Sequence, residues 1–431
     1  MPFPVIDATA SLLARGYAWA PGLRRRSEGP GPVRTRLMGR RTVLLHGPEA
    51  VEFFYDERHV LRHGALPGPV LDTLFGRGAV HTLDGETHRV RKDMFVSLLM
   101  SDNGVAALVD RVSTAWRAAA QEWNGHEVVL FDEVSTILAE SVCDWVGLRL
   151  SDEEVRQTAR DCVAMVDGFA TPGPRHWKAR RARRRQERAL SRIVDDVRAE
   201  GAPPGGAYAP FSAGGSSRSA LETVAWHRDR DGRLLDSRSA AVELLNIIRP
   251  TVALAWFAAF AAHALHREPA HRGPLRDDDG TYARAFAHEV RRFYPFAPFV
   301  GGLAARDLDF HGDRIPEGTL VLLDVYGQHR DPALWPQPAR FDPRRFVGRE
   351  PDGDELIPQG GGDARSGHRC PGEDIAISVL AALSTGLAHL DMAVPEQDLE
   401  IPLSRVPTRP RSGFVMTPAH QSRSQHASRF R

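Results

Sequence analysis

The chain has 431 residues, 42% hydrophobic and 26% charged, enough to bury a sizeable core. Its 56 basic and 55 acidic residues leave a formal charge of +1, which argues against a dedicated nucleic-acid or membrane-surface binder with a basic field over the whole molecule. Three cysteines, Cys143, Cys162 and Cys370, are too few for a disulfide framework and point to a reduced, cytoplasmic setting where a lone thiol is either inert or chemically employed.

In chain order, Met1–Gly22 has no signal-peptide core. The front half is patterned for helices. Thr87–Met100 and Asn103–Trp123 carry apolar residues at three- and four-residue spacing. Asp152–Val166 opens with an acidic turn after Ser151, a natural cap. Arg175–Glu200 is rich in Arg and reads as a solvated surface helix. Gly201–Ser219, rich in Gly, Pro, Ala and Ser, reads as a surface loop within one domain. Ser237–Arg267 is the most apolar long helix, with Glu243, Asn246 and Arg249 recurring as one polar stripe. Pro250 in mid-helix predicts a kink. The apolar run Pro250–Ala262 is too short to cross a bilayer, which needs about 20 residues. Phe299–Leu323 holds strand-like stretches with turns at Asp307, Gly312 and Glu317–Gly318. Asp331–Phe346 is Pro-rich and irregular. The residues after Gln421 are polar, so one domain over 1–420 and a disordered tail over 421–431 are expected.

Cys370 ends the Gly-rich loop Gln359–Gly372, just before a helix-like run from Glu373. Exposed N–H groups and the helix dipole there favour thiolate over thiol. Taken alone, the position suits an inert buried thiol, a nucleophile or a metal ligand. Zinc is disfavoured, because no second Cys lies two to four residues away. Upstream stand Glu289-Val290-Arg291-Arg292, with its Glu and second Arg on one helical face, and Phe341-Asp342-Pro343-Arg344-Arg345-Phe346.

This order of motifs resembles the haem-thiolate cytochrome P450 superfamily. The resemblance implies a mainly α fold with small β-sheets, a single-domain cytochrome P450 fold. It implies haem b (iron protoporphyrin IX) with Cys370 as the proximal iron ligand, pushing electron density that favours O–O cleavage, and the Glu–Arg pair bracing the Cys370 loop. Two departures from the usual pattern are informative. Asp363 and His368 replace the Phe and Arg usually found seven and two residues before the cysteine. Arg249-Pro250-Thr251 replaces the acid–Thr pair that relays protons to dioxygen. Both are similar to the fatty-acid peroxygenase branch, bacterial enzymes that use hydrogen peroxide.

Within that branch the resemblance implies that Arg249 anchors the substrate carboxylate, beside Pro250. It places Phe75, Val166, Phe169, Phe296 and Phe299 along the acyl channel, although any of them could equally be plain core. Arg62, His88, Lys92, Tyr294 and His368 are candidate contacts to the haem propionates. His81 occupies a distal slot that holds Gln in members that mainly hydroxylate and His in members that also release terminal alkenes. The implied function is peroxide-dependent oxidation of a long-chain fatty acid at its α or β carbon, with no obligatory redox partner and no nucleic-acid or membrane partner. The alternatives are a reductase-dependent monooxygenase acting on another carboxylate or a secondary metabolite, and a non-enzymatic haem sensor.

Overall fold

A computed structural model describes residues 3–4, 6–26, 31–169, 171–201, 218–277 and 279–419. Most of the expected 201–219 loop and the 421–431 tail lie outside the described residues.

Helices carry most of the chain. They include α1 (Gly85–Leu99), α2 (Asp102–Trp123), α3 (Leu130–Val146), α4 (Asp152–Asp167) and α5 (Pro174–Ala199). Further on come α6 (Ser237–Val252), α7 (Leu254–Arg267), α8 (Thr281–Phe293) and α9 (Glu373–His389). The start of α4 is the expected cap: Ser151 and Glu154 form a capping box, with the Ser151 N–H donating to Glu154 at 2.8 Å.

Every residue of α7 from Leu254 to Leu265 is buried. A helix that is apolar all round belongs in the middle of the core. Ser237–Arg267 is long and apolar enough to cross a membrane, but 94% of its most apolar window is buried inside the protein. Its apolar surface is spent on the protein's own core. Pro250 itself stays within α6, since its fixed φ is that of a helix. The interruption falls three residues further on, at Ala253.

A five-stranded sheet packs beside the helices. Its strands are β1 (Val33–Leu37), β2 (Arg40–Leu45), β3 (Val60–Leu61), β4 (Phe299–Ala304) and β5 (Leu320–Asp324), in spatial order β1-β2-β5-β4-β3. Only β2 and β5 run parallel, with Thr42 opposite Leu320. Successive residues point to opposite faces. Val43, Leu45, Val321 and Leu323 pack in one cluster, and Leu37, Leu44, Leu320 and Leu322 in another.

The Glu289–Arg292 pair forms and docks with the 341–346 segment as expected, while the Cys370 loop itself is held by the neighbouring Arg291. Arg292 Nε and Nη2 each donate to Glu289 at 2.7 Å, and neither side chain has any exposed surface. Arg292 also donates to the carbonyls of His329, Pro338 and Arg340. The Asp342 N–H and the Arg345 guanidinium meet Glu289 at 2.7 and 3.6 Å. One ion pair on α8 thereby holds the irregular 329–346 segment. Arg292→Ala leaves the Glu289 carboxylate buried without its partner, which costs about 3–5 kcal/mol. Chemical denaturation of the haem-loaded protein should register that loss. Arg292→Lys keeps the charge but not the bidentate geometry, and should recover only part of it.

Candidate active site

The Cys370 loop is closed and held from three sides. The Cys370 N–H donates to the Gln359 carbonyl at 3.0 Å. Arg291 grips the Gln359 side chain and Glu373 together. Gly360 and Gly362 take left-handed φ values of +94° and +73°, and Tyr55 lies against both. The sequence position suggested a thiolate. Here burial pushes the thiol up, against the pull of the Gly372 N–H and of Lys92. Desolvation outweighs the helix-end field, and a metal cation at the sulfur inverts that balance. Cys143 and Cys162 are also buried and raised, Cys143 to about 12, with no N–H group bonded to either sulfur.

Four of the five candidate propionate contacts come together. The His88 and His368 rings stack at 3.9 Å. His88 is held down to about 3, by burial and then by His368, Lys92 and Arg62 nearby. Lys92 donates to the Arg369 carbonyl at 2.5 Å, and burial pulls its amine down to about 8. Arg62 is buried over the Phe54 ring at 4.2 Å, with only long hydrogen bonds to two carbonyls and no ion pair among the described residues. Glu57 and Asp84 lie beside the histidines at 3.5–3.7 Å. Tyr294 does not join them. Its hydroxyl meets His263 Nδ1 at 2.8 Å, and its ring stacks on Phe260 in the helical core.

A second group forms around α6. Arg249 is buried, and its guanidinium makes no hydrogen bond or ion pair with the described residues. The Phe75 ring lies 5.6 Å from its guanidinium carbon. Burial and the nearby Arg183 push Arg249 down to about 9. His81 sits in the 3₁₀ turn Val80–Thr82, its ring 4.8 Å from Phe75. Burial, then Arg249, holds His81 well below its ordinary value, so it is neutral at pH 7. The Thr251 hydroxyl donates back to the Ile247 carbonyl at 2.9 Å.

What fixes this group was only partly visible beforehand. Glu243 accepts from the Val80 N–H at 2.9 Å, from Arg91 at 2.6 Å and from Asn246 at 3.2 Å. The Phe75 carbonyl accepts from Asn246 at 3.1 Å and from Arg183 at 3.0 Å. The loop bearing Phe75 and His81 is therefore tied to α1, α5 and α6. The polar stripe on α6 was the available signal for Glu243 and Asn246. Nothing marked Arg91, or Arg183 among so many neighbouring arginines.

The other channel candidates lie on several elements. Val166 is buried in the helical core. Phe169 is half-buried just past the end of α4. Phe296 packs on Phe257 of α7 at 4.9 Å. Phe299 opens β4 and lies 6.0 Å from Trp19. Of the five, Phe75 has its ring against Arg249.

These residues fit a haem. Cys370 and Pro250 both keep accessible surface although Cys370 is packed deep in the protein and Pro250 is flanked by buried residues. The basic cluster of Arg62, His88, Lys92 and His368 would match two propionates. A single thiol ligand in a braced loop, an apolar helix and that basic cluster define a haem-thiolate oxidoreductase. Residues 278–420 match the family model for cytochrome P450. The chain is 25% identical over 393 residues to cyclooctat-9-en-7-ol 5-monooxygenase of Streptomyces melanosporofaciens, covering 83% of this chain and 81% of that protein. It is 40% identical to cytochrome P450SP alpha (CYP152B1), solved in complex with (R)-ibuprophen, covering 96% of this chain and 98% of that one at a TM-score of 0.88. It is 34% identical to a variant of cytochrome P450 OleT solved in complex with arachidonic acid, covering 96% of each chain at a TM-score of 0.89. The chain belongs to the cytochrome P450 family.

Arg249→Leu removes an uncompensated buried charge and keeps the volume apolar. Denaturation of the fatty-acid-free protein should show a gain of about 1–4 kcal/mol. A loss would mean that the cation is already compensated.

Proposed function

We propose that the protein uses hydrogen peroxide to oxidise long-chain fatty acids at the α or β carbon. It hydroxylates them, with decarboxylation to terminal alkenes as a second outcome. The observation that carries this reading is Arg249, a buried cation with no carboxylate partner, next to Pro250 where a relay acid would stand. The two solved relatives named above were each captured with a carboxylic acid.

In this reading Cys370 ligates the iron, and Arg62, His88, Lys92 and His368 hold the haem propionates. The bound haem supplies the centre at which the peroxide O–O bond breaks and oxygen passes to carbon. The remaining work falls to the chain. Arg249 binds the substrate carboxylate through a bidentate, charge-assisted pair. Held there, the carboxylate takes a proton from one peroxide oxygen and returns it to the other. General acid–base help of this kind is worth about 10²–10⁴-fold. The same anchor limits which carbons approach the oxidant, which confines oxidation to the acid end of the chain. Phe75 covers the guanidinium and keeps water from it. His81, neutral beside Arg249, offers one N–H and one lone pair and biases the outcome between the two products.

The balance closes without a reductase. Hydroxylation consumes one fatty acid and one peroxide, and yields one hydroxy acid and one water. Decarboxylation consumes the same reactants, and yields one alkene, one carbon dioxide and two waters.

Purified haem-loaded protein given peroxide and a long-chain acid, with no reductase, should form these products by gas chromatography–mass spectrometry. Turnover only with a reductase system would favour the monooxygenase reading, and spectral binding without product the sensor. Arg249→Ala should lose the fatty-acid-induced spectral shift and about 10²–10⁴-fold in kcat/KM. Cys370→Ser should lose the reduced carbon-monoxide Soret band of a haem thiolate; its persistence would refute the ligand assignment.

A further inference from the structure

Helix α5 presents two unlike faces. Its inner face buries Ala179, Ala182, Arg183, Gln186, Leu190 and Val194. From that face Arg183 donates to the carbonyls of Leu74 and Phe75 at 2.6 and 3.0 Å. The helix thus covers the loop that closes over Arg249. Its outer face exposes Lys178, Arg181, Arg184, Arg188 and Arg192. At 100° per residue these five fall within roughly a third of the helix circumference. They span about 21 Å at 1.5 Å per residue.

Most other cations of the same helix are paired. Arg180 meets Asp72, Arg183 meets Glu187 and Arg185 meets Asp161. The five outer cations have no carboxylate in ion-pair contact among the described residues. One turn before Arg181 stands Trp177, 64% exposed and stacked near Arg180 at 5.4 Å. It lies in the first turn of α5, after the exposed Pro172 and Gly173. A net charge of +1 argues against a basic field over the whole molecule, but it conceals this local one.

We propose that the outer face of α5 docks the protein onto an anionic lipid surface, from which its acyl substrate is drawn. Charge complementarity selects the partner: an unpaired cation row meets head-group phosphates, and an exposed Trp beside it suits the interface of water and acyl chains. Nucleic acid would match the cations, but the exposed Trp177 at the end of the row favours lipid. The purpose of the docking rests on the fatty-acid reading. The docking itself does not, because it is measured without turnover.

The test is co-sedimentation of haem-loaded protein with phosphatidylcholine vesicles, with and without phosphatidylglycerol, at low and high salt. Binding should require phosphatidylglycerol and weaken with salt. Each surface cation contributes about fivefold to such partitioning. The triple variant R181Q/R184Q/R188Q should therefore bind about a hundredfold more weakly, while oxidising a short, water-soluble acid at the wild-type rate. Trp177→Ser should weaken binding at both salt concentrations. No binding by the wild type, equal binding by the triple variant, or tighter binding to duplex DNA than to the anionic vesicles would each overturn the proposal. Loss of peroxide turnover in the wild type would overturn the fatty-acid reading and leave the vesicle result standing.

Discussion

Taking a guanidinium out of water costs several kcal/mol unless an anion compensates it. This chain meets that constraint in two ways. Arg292 is compensated from within, by Glu289 and three backbone carbonyls, and the result is a rigid brace. Arg249 is left without an anion among the described residues, and Arg62 has only the more distant charges of Asp84 and Glu57. Lys92 and His88 are likewise held below their ordinary values by burial. Overall charge is nearly balanced, yet Arg249 has no anion among the described residues. The expected ligands are propionates against the cluster of Arg62, His88, Lys92 and His368, and a carboxylate against Arg249.

The uncompensated cation must still be aimed. Glu243 does this indirectly, by joining α6 to the Val80 N–H and to Arg91 of α1. Asn246 and Arg183 pin the Phe75 carbonyl from α6 and α5. The loop bearing Phe75, α1, α5 and α6 thus share one hydrogen-bonded network. A carboxylate entering beside Phe75 meets a preset geometry, which is what a reaction guided by substrate position requires.

Much of this was legible in the sequence, for identifiable reasons. The long helices announce themselves by apolar spacing, and their ends fall within two residues of the structure at α1, α2, α4 and α5. The brace was legible because Glu289 and Arg292 share a helix face. Other features had no local signature. Strands β1 and β2 carry Arg34, Arg36, Arg40 and Arg41, which mask their alternation. The pairing of Glu243 with Arg91 joins residues far apart in the chain, so no spacing reveals it. Tyr294 carried a motif position, but packing turned its hydroxyl to His263. The helix break falls at Ala253, three residues beyond the Pro250 that signalled it.

The central claim is that the substrate's own carboxylate, held by Arg249, replaces the missing protein acid. The most direct measurement separates that carboxylate from the carbon being oxidised. Haem-loaded protein would be given peroxide and a neutral alkylbenzene, with and without a short-chain carboxylic acid. The expected result is oxidation of the alkylbenzene only when the acid is present, saturating with acid concentration and absent in Arg249→Leu. Equal oxidation without any acid would contradict the claim.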